Sequence, residues 1–356
     1  MMRPHIGRLL MMLGCCATLA AAPDTAYVIN DAHFHLTNYV QEGPDVHAFL
    51  KLMGNRVGRV ALFGIPLQQQ WSFGNTGMFA PTYYLQTDAP LYYYSFTDAY
   101  IAMAYRSLSP AEQARFDPMI TGFNPADMYA VDHIRRVLTT FPGVFSGIGE
   151  FSVHKEFVSA KIAGETASLT NPSLDRILDF AAEAGLPVIL HNDIDVPFPK
   201  QGQETYQLTQ LRELFLRHPA TTIIWAHAGL GRVVRPVAHQ IGIIEELISN
   251  PALAHLYIDL SWSETAKYIV ASPDSIEATA TMINRHPERF IFGTDEVAPT
   301  DQAHYLATFD AYAPLLARLT PDASEKFRKT NYERLFDEAR RRVRAWEKVH
   351  IKETQQ

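Results

Sequence analysis

Cysteine is almost absent from this chain of 356 residues, and its two copies, Cys15 and Cys16, are adjacent near the N-terminus. The rest of the sequence can therefore form no disulfide, no catalytic thiol and no thiolate metal site. Any metal bound there must be held by nitrogen and oxygen ligands. This absence directs attention to histidine and carboxylate side chains.

Positive charge is also in short supply. The chain has 31 Lys and Arg residues against 38 Asp and Glu residues, which gives a formal net charge of −7. Non-specific nucleic-acid binding depends on cationic contacts with phosphates, so this balance argues against it. With 47% hydrophobic and 19% charged residues, the composition is typical of a globular protein. We expect a small-molecule substrate and no nucleic-acid partner.

Long apolar segments are missing as well. Leu9–Leu19 is apolar but too short to span a membrane, and it lies between a basic start and the small residues Ala20–Ala22. This pattern predicts a signal peptide at residues 1–22 and export to the periplasm or beyond, with a misassigned start codon as the alternative. Met12–Cys15 resembles a lipoprotein cleavage box, so lipid anchoring at Cys15 and free release both stay open. A membrane is expected as a partner only through such an anchor.

Short apolar segments alternate with amphipathic ones from residue 27 onward. Several, such as Val188–Leu190, are continuously apolar, which is typical of strands buried on both faces of a parallel sheet. The predicted strands are Val28–His35, Arg59–Ile65, Met119–Asn124, Gly147–Val153, Pro187–Asn192, Thr222–Ala228, Leu256–Ser261 and Phe290–Thr294. Eight strands separated by helices indicate a closed (β/α)8 barrel or a long doubly wound sheet.

The helices between these strands carry start and stop signals. One predicted helix begins after the start signal Asn171-Pro172-Ser173 and stops at Gly185-Leu186-Pro187. The other predicted helices are Pro125–Thr140, Glu204–Arg217, Val234–Ser249, Asp274–Arg285 and Asp301–Ala317. No Gly-rich phosphate loop follows the first strand, which disfavours a nucleotide-binding sheet. We assign residues 27–338 to one α/β barrel domain and residues 339–356 to a basic, solvated helical tail.

One connection is unusually long and rich in aromatic residues. We predict an insertion at residues 66–118 after strand two, with a short outer helix at Ser109–Phe116. Such loops are commonly functional, and the end of strand two lies at the catalytic face of a barrel. Trp71 and Tyr83 are therefore candidate substrate contacts. The alternative is an extra subdomain that packs a small core of its own.

Two histidines share one face of the first strand. His33 and His35 are two residues apart, so both imidazoles point to the same side while Phe34 points to the other. Neutral imidazole is a common ligand for divalent cations. An isolated His-x-His pair is also common as a structural feature, and the later strands decide between the two readings.

Polar residues end four of the later strands. Glu150, His191, His227 and Asp295 each follow a segment that is otherwise strongly apolar. In a barrel, the carboxyl ends of the strands gather around one mouth. Most of the other histidines fall in helices or connections, where surface or packing roles are expected. The sequence thus predicts a metal site at the carboxyl ends of the strands.

The ordered set of these motifs resembles the amidohydrolase superfamily of metal-dependent barrel hydrolases. The resemblance runs from Asp31 to Phe336, nearly the whole chain after the leader. The matching motifs are Asp-Ala-His-Phe-His (31–35) at strand one, His191 at strand five, His-Ala-Gly (227–229) at strand six, Gly-Thr-Asp (293–295) at strand eight and Asn-Tyr-Glu-Arg-Leu-Phe (331–336) in the closing helix. The combination is specific to the superfamily and not to one substrate.

The resemblance implies roles for these residues. His33, His35 and Asp295 would bind one metal ion, joined by His191 in the commonest arrangement. Asp295 would also take a proton from the attacking water, and His227 would bind a second ion or polarise the substrate carbonyl. General chemistry supports the same roles, since a bound metal acidifies water and a neighbouring carboxylate accepts the proton.

The number of metal ions stays open in the sequence. Many two-metal relatives use a carboxylated lysine at strand four, whereas this strand carries Gly-Ile-Gly-Glu-Phe (147–151) and Lys155 comes too late. Glu150 is placed as in the TatD-like nucleases, where a glutamate lies beside the metals. It either bridges two ions or accepts a hydrogen bond from a ligand. Zinc is the expected ion, and Mn²⁺, Fe²⁺ and Ni²⁺ also suit these ligands.

The leading function is hydrolysis of an amide, ester or lactone in a small to medium apolar or aromatic substrate, by metal-activated water. Arg232 and Trp262, which follow strands six and seven, are further candidate substrate contacts. One alternative is non-oxidative decarboxylation of an aromatic or enoic acid. A TatD-like phosphodiesterase is a third reading, disfavoured by the acidic charge balance. A non-catalytic binding protein is a fourth, disfavoured because every expected ligand position is filled.

Overall fold

The computed structural model describes residues 27–38, 40–65, 73–79, 90, 94–156, 168–200, 205 and 207–353. The predicted signal peptide, Trp71 and Tyr83 lie outside these residues. Among the described residues, no helix is both long and apolar enough to cross a membrane.

The strands form one parallel sheet that follows the order of the chain. Neighbours pair in the order β8-β7-β6-β5-β4-β3-β2-β1-β9, so β9, which follows β8 closely in the chain, lies beside β1. The strands are β1 Ile29–His35, β2 Val57–Phe63, β3 Phe116–Ile120, β4 Gly147–His154, β5 Val188–Asn192, β6 Ile223–Trp225, β7 Leu256–Asp259, β8 Phe290–Ile291 and β9 Glu296–Val297. Backbone hydrogen bonds from Ala32 N to Phe292 O (3.0 Å) and from Asp295 N to His33 O (2.7 Å) join the two ends.

Helices follow the strands as expected for a parallel α/β fold. They are α1 Val46–Met53, α2 Phe73–Thr76, α3 Thr97–Ser107, α4 Pro110–Gln113, α5 Ala130–Thr140, α6 Pro172–Ala184, α7 Leu208–Arg217, α8 Gln240–Ser249, α9 Ser263–Ile269, α10 Pro273–Arg285, α11 Gln302–Ala311, α12 Ala313–Leu316, α13 Pro321–Glu325 and α14 Asn331–Glu353. The curled parallel sheet and the alternating helices give an α/β fold like the TIM barrel, as predicted.

Two apolar cores hold the fold together. The smaller one fills the inside of the curled sheet with residues that include Phe63, Met119, Ile189 and Ile224. Tyr332, Leu335 and Phe336 from α14 belong to this core and close its lower end, where the strands begin. The larger core lies between the sheet and the surrounding helices. Because one end is plugged, access to the interior is left at the end where the strands finish.

Several predicted boundaries shift in the structure. The sixth strand stops at Trp225 and becomes a 3-10 helix, Ala226–Gly229, because His227 and Ala228 have positive φ angles of 58° and 53°. The third strand starts at Phe116, inside the predicted insertion, and the predicted outer helix at Ser109–Phe116 is α4 alone.

The C-terminal segment is helical, but the prediction of a solvated tail is wrong for one of its faces. It continues α14, which begins at Asn331. Ala339, Val343 and Trp346 are buried against the rest of the protein. The apolar residues in this basic segment recur with helical spacing, which is why one face packs while the charged face meets solvent.

Candidate metal centre

Six polar side chains meet at the carboxyl ends of the strands. They come from β1 (His33, His35), β4 (Glu150), β5 (His191), the turn after β6 (His227) and the segment between β8 and β9 (Asp295), and all are buried. The strand order places these ends around one mouth, as the sequence predicted for such residues.

Four of the six form a first group: His33, His35, Glu150 and Asp295 offer ligand atoms within 4.8 Å of one another. Asp295 Oδ1 lies 3.1 Å from Nε2 of both His33 and His35. Glu150 Oε2 lies 3.6 Å from Nε2 of His33 and 3.4 Å from Nε2 of His35. Two imidazole nitrogens and two carboxylate oxygens are a suitable set for a divalent cation.

Glu150 also belongs to a second group, with His191 and His227. Its other oxygen, Oε1, lies 2.5 Å from His191 Nδ1 and 3.5 Å from His227 Nε2. The two oxygens of one carboxylate thus face two different pairs of histidines. His191, which the resemblance assigned to the ion of His33, His35 and Asp295, lies instead in the group on the far side of Glu150.

Several of these buried atoms make no hydrogen bond. His33 Nε2, Glu150 Oε2 and His227 Nε2 have no hydrogen-bond partner among the described residues. His33 Nε2 is 3.1 Å from Asp295 Oδ1, yet the contact lacks hydrogen-bond geometry. Buried polar atoms are normally satisfied, and exceptions call for an explanation such as an ion. Atoms that converge without bonding one another fit a metal placed between them.

The outer nitrogens of the histidines are held by neighbouring groups. His33 Nδ1 is 2.7 Å from Asp259 Oδ2, and His35 Nδ1 is 2.9 Å from Gly64 O. Since a carboxylate and a carbonyl only accept, each Nδ1 carries a proton, and Nε2 is the nitrogen that faces the centre and could bind a metal. Such partners orient a metal-binding imidazole and strengthen it as a ligand.

Asp259 reaches a second histidine through Ser261. The Ser261 hydroxyl donates to Asp259 Oδ2 (2.6 Å) and lies 2.9 Å from His227 Nδ1, whose other neighbour is the Ser261 carbonyl at 3.4 Å. His227 Nδ1 therefore donates, and its Nε2 lone pair faces Glu150. Sequence reasoning missed Asp259 and Ser261. A carboxylate that ends the apolar β7 segment is the signal that could have found Asp259.

The electrostatics of the centre favour bound positive charge. Burial alone would raise the pKa of Asp295, but the neighbouring His33 and His227 hold it well below its usual value. Burial would likewise raise the pKa of Glu150, and the charges of Lys155 and His191 hold it well below its usual value. Burial lowers the pKa of His227, which keeps this imidazole neutral. Burial would lower the pKa of His33, His35 and His191 as well, but the neighbouring carboxylates raise it, so these imidazoles carry protons that a metal would displace. The ionised carboxylates and the neutral His227 already have the protonation states that a metal needs in its ligands.

Of the predicted substrate contacts, Trp262 and Arg232 lie among the described residues. Trp262 lies at the mouth, with its ring 5.0 Å from that of His227 and 6.3 Å from that of His191, measured between centroids. The Arg232 guanidinium carbon is 5.7 Å from the centre of the same indole. For Trp71 and Tyr83, a substrate role stays a prediction, because both lie outside the described residues.

Comparison with known proteins identifies the family. A model of the amidohydrolase family matches residues 31–337. The chain belongs to this family. Together with the buried histidine and carboxylate cluster, this membership makes the protein a metal-dependent hydrolase of the amidohydrolase type. It confirms the family resemblance inferred from the sequence motifs. No curated protein matches the amidohydrolase in a sequence search.

Solved structures share the fold of this amidohydrolase. An uncharacterised TIM-barrel protein from Bordetella bronchiseptica superposes with a TM-score of 0.53 and 14% identity, over 87% of this chain and 99% of that one. A putative 2-pyrone-4,6-dicarboxylic acid hydrolase from Pseudomonas putida gives 0.52 and 14%, over 87% and 98%. An amidohydrolase from Burkholderia multivorans with bound zinc gives 0.51 and 13%, over 87% and 99%. At such low identities these likenesses show the fold alone.

Proposed function

We propose that this amidohydrolase hydrolyses an amide, ester or lactone bond in a small to medium substrate with apolar or aromatic groups. The observation that carries the proposal is Glu150, whose two oxygens face two separate pairs of histidines inside a buried centre. Trp262 at the mouth supports an apolar or aromatic substrate.

We infer that the centre holds two divalent ions. His33, His35 and Asp295 would hold one, His191 and His227 the other, and Glu150 would bridge them. Zinc is the expected ion, and Mn²⁺, Fe²⁺ and Ni²⁺ also suit nitrogen and oxygen ligands. Held by these residues, the ions would lower the pKa of water and polarise the carbonyl that it attacks.

The protein side chains supply positioning and proton transfer. Asp295 Oδ1 faces His33 and His35, whereas Oδ2 lies toward His227, 3.9 Å from its Nε2. Oδ2 is therefore the atom that we expect to accept the proton of the attacking water. His227 donates through Nδ1 to Ser261 and has no proton on Nε2 to offer a carbonyl. Of the two roles that the sequence left open for His227, this favours metal binding.

The alternatives receive less support. Some decarboxylating branches of the superfamily use the mononuclear set of ligands, so the second ion that we infer would favour hydrolysis. The position of Glu150 resembles that of the glutamate in TatD-like phosphodiesterases. However, the net charge of −7 does not favour a nucleic-acid substrate. Export through residues 1–22, with or without a lipid on Cys15, remains part of the proposal.

Metal analysis combined with a substrate screen tests the proposal. The purified protein should contain about two divalent ions per chain and hydrolyse some of the amides, esters and lactones offered. Glu150→Gln should lower the metal content to about one ion per chain, because an amide bridges two cations poorly. Glu277→Gln, whose side chain is 64% exposed, is the matched control and should keep both ions.

Three results would count against the proposal. A wild-type protein that neither binds nor responds to divalent ions would exclude the metal mechanism. Release of carbon dioxide from benzoate-like acids without hydrolysis products would assign the protein to the decarboxylases. Cleavage of bis-p-nitrophenyl phosphate in preference to every carbonyl substrate would assign it to the phosphodiesterases.

A further inference from the structure

Two cations approach one indole at the mouth of the metal centre. The Lys155 ammonium nitrogen lies 5.2 Å from the centroid of Trp262, and the Arg232 guanidinium carbon lies 5.7 Å from it. Lys155 comes directly after β4, Arg232 lies in the loop after β6, and Trp262 lies between β7 and α9. We call these three residues the cationic wall.

Trp262 is fixed in place by an unusual backbone. Its φ angle is 79°, in a region that bulky side chains rarely adopt, and its N–H donates to Thr294 O at 3.2 Å. The indole is 9% exposed and packs beside His227, one of the proposed metal ligands. Strained residues held in this way are concentrated at ligand-binding and catalytic sites.

Lys155 brings a positive charge to the edge of the centre. Its side chain is 15% exposed, and its ammonium lies 3.9 Å from Glu150 Oε1. That oxygen also faces His191 and His227, so it is shared with the proposed second ion. An anion bound to Lys155 at ordinary charge-assisted distance would lie within about 7 Å of this oxygen.

Arg232 extends the positive surface outward. Its side chain is 44% exposed, and its Nε lies 3.7 Å from Glu264, which also pairs with Lys267. Two further acidic residues lie in the neighbouring loops: Asp193 accepts from Glu156 N and lies 3.2 Å from His191 Nε2, and Glu156 accepts from Val233 N at 3.2 Å. The guanidinium has a planar face and several donors, which suit a carboxylate.

We propose that the cationic wall binds a carboxylate of the substrate, beside the bond that is cleaved, while Trp262 packs against the planar part of the molecule. This inference rests on the proposed hydrolytic function and narrows it to amides, esters or lactones that carry a free acid group. The short reach from Lys155 to Glu150 places this acid a few bonds from the scissile carbonyl. Neutral analogues of the same size are poor substrates.

Matched substrate pairs test the wall. The pairs are 2-acetoxybenzoate with 2-acetoxybenzamide, followed by acetate release, and N-benzoylglycine with N-benzoylglycinamide, followed by benzoate release. We expect kcat/KM to favour the acid of at least one pair by about tenfold or more, mainly through KM. Lys155→Met and Arg232→Met should each remove most of this preference. Lys267→Met, which removes a neighbouring charge outside the wall, should retain it.

Binding of benzoate separates the wall from the metal chemistry. In chelator-treated protein, where no ion attracts the carboxylate, Lys155→Met should weaken benzoate binding by about fivefold or more relative to wild type and to Lys267→Met. Tryptophan fluorescence reports the binding, and circular dichroism checks that the variants fold. Benzamide serves as the neutral probe.

The outcomes distinguish the two proposals. Equal rates for the acid and the amide would overturn carboxylate binding by the cationic wall and leave the proposed hydrolysis unaffected. Equal losses of activity on both substrates in Lys155→Met and Arg232→Met would do the same. If no pair is hydrolysed, benzoate binding decides: equal affinity in wild type and Lys155→Met overturns the wall, and a selective loss supports it. The screen and the metal analysis then judge the hydrolytic function separately.

Discussion

The two ends of the barrel both bury charged groups, but they use them differently. At the lower end, where the strands begin, the fully buried Asp117 accepts hydrogen bonds from Arg59 (2.9 Å), Tyr332 (2.7 Å) and Arg340. None of these four residues is among the buried side chains that lack a partner in the described part of the chain. At the upper end, His33 Nε2 is left without one.

The pKa shifts also differ between the two ends of the barrel. Burial by itself lowers the pKa of Arg59, but the Asp117 carboxylate outweighs it and raises this pKa. Burial, followed by the charge of Asp117, raises the pKa of Tyr332 well above its usual value. Here charges neutralise one another within the protein. At the upper end, His35 and His191 hydrogen-bond to Asp295 and Glu150. His33 Nε2, Glu150 Oε2 and His227 Nε2 have no hydrogen-bond partner among the described residues, which fits a cation bound between them.

Among the substitutions that test this contrast, Asp295→Asn is expected to have the largest effect, a loss of activity. The amide cannot accept the proton of the attacking water and binds a cation weakly, so kcat/KM should fall on the order of 10³-fold. The midpoint of thermal unfolding of the metal-free protein should also fall, because the ionised Asp295, whose pKa His33 and His227 hold well below its usual value, loses these contacts. Steady-state kinetics and melting curves measure both. Substantial turnover in this variant would contradict the proton-acceptor role.

Asp117→Asn should lower the stability without affecting the metal centre. It leaves Arg59 and Arg340 beside a neutral side chain, and breaking a buried charge pair costs about 3–5 kcal/mol of unfolding free energy. Denaturant unfolding measures the loss. The metal content and kcat/KM of the folded protein should match wild type, and a selective loss of activity would show that the two ends are coupled.

Asp259→Asn tests the support of the upper end. Asp259 holds His33 directly and His227 through Ser261, so its loss should reduce metal affinity about 10- to 100-fold. Competition with a chromophoric chelator measures the affinity. An unchanged affinity together with a lower stability would mean that Asp259 has only a structural role.

The smallest effect is expected from Asp337→Asn at the lower end. Asp337 pairs with the same Arg59 as Asp117 does, yet its side chain is 64% exposed. Exposed pairs contribute less than about 1 kcal/mol, so the unfolding free energy should change by no more than this. A loss as large as that of Asp117→Asn would show that the number of pairs matters more than their burial.

The sequence predicted the strands better than their ends. Short apolar segments marked eight of the nine strands, while β9 was not predicted, and the parallel pairing follows from their alternation with helices. The sixth strand ends early because His227 and Ala228 take positive φ angles, which no side-chain pattern signals. The buried face of α14 was missed because its charged residues dominate the segment.

The residues of the candidate site were likewise predicted only in part. His33 and His35 were predicted from their spacing on one strand, and His191, His227 and Asp295 because each ends an apolar segment; all five follow the order of the family motifs. Asp259 ends β7 in the same way, but no motif drew attention to it. Lys155 was set aside as too late for a metal ligand, and its position beside Trp262 was not foreseen.

By itself the sequence determined which residue types could hold a metal, because a cysteine-free domain leaves histidine and carboxylate ligands. It also determined the family, because the spacing and order of the motifs are local properties of the chain. The tertiary structure decided how those residues are grouped: Glu150 with both pairs of histidines, His191 with His227, and Asp259 behind two imidazoles. Such grouping depends on side-chain directions across strands far apart in the chain, and these are set only when the barrel closes.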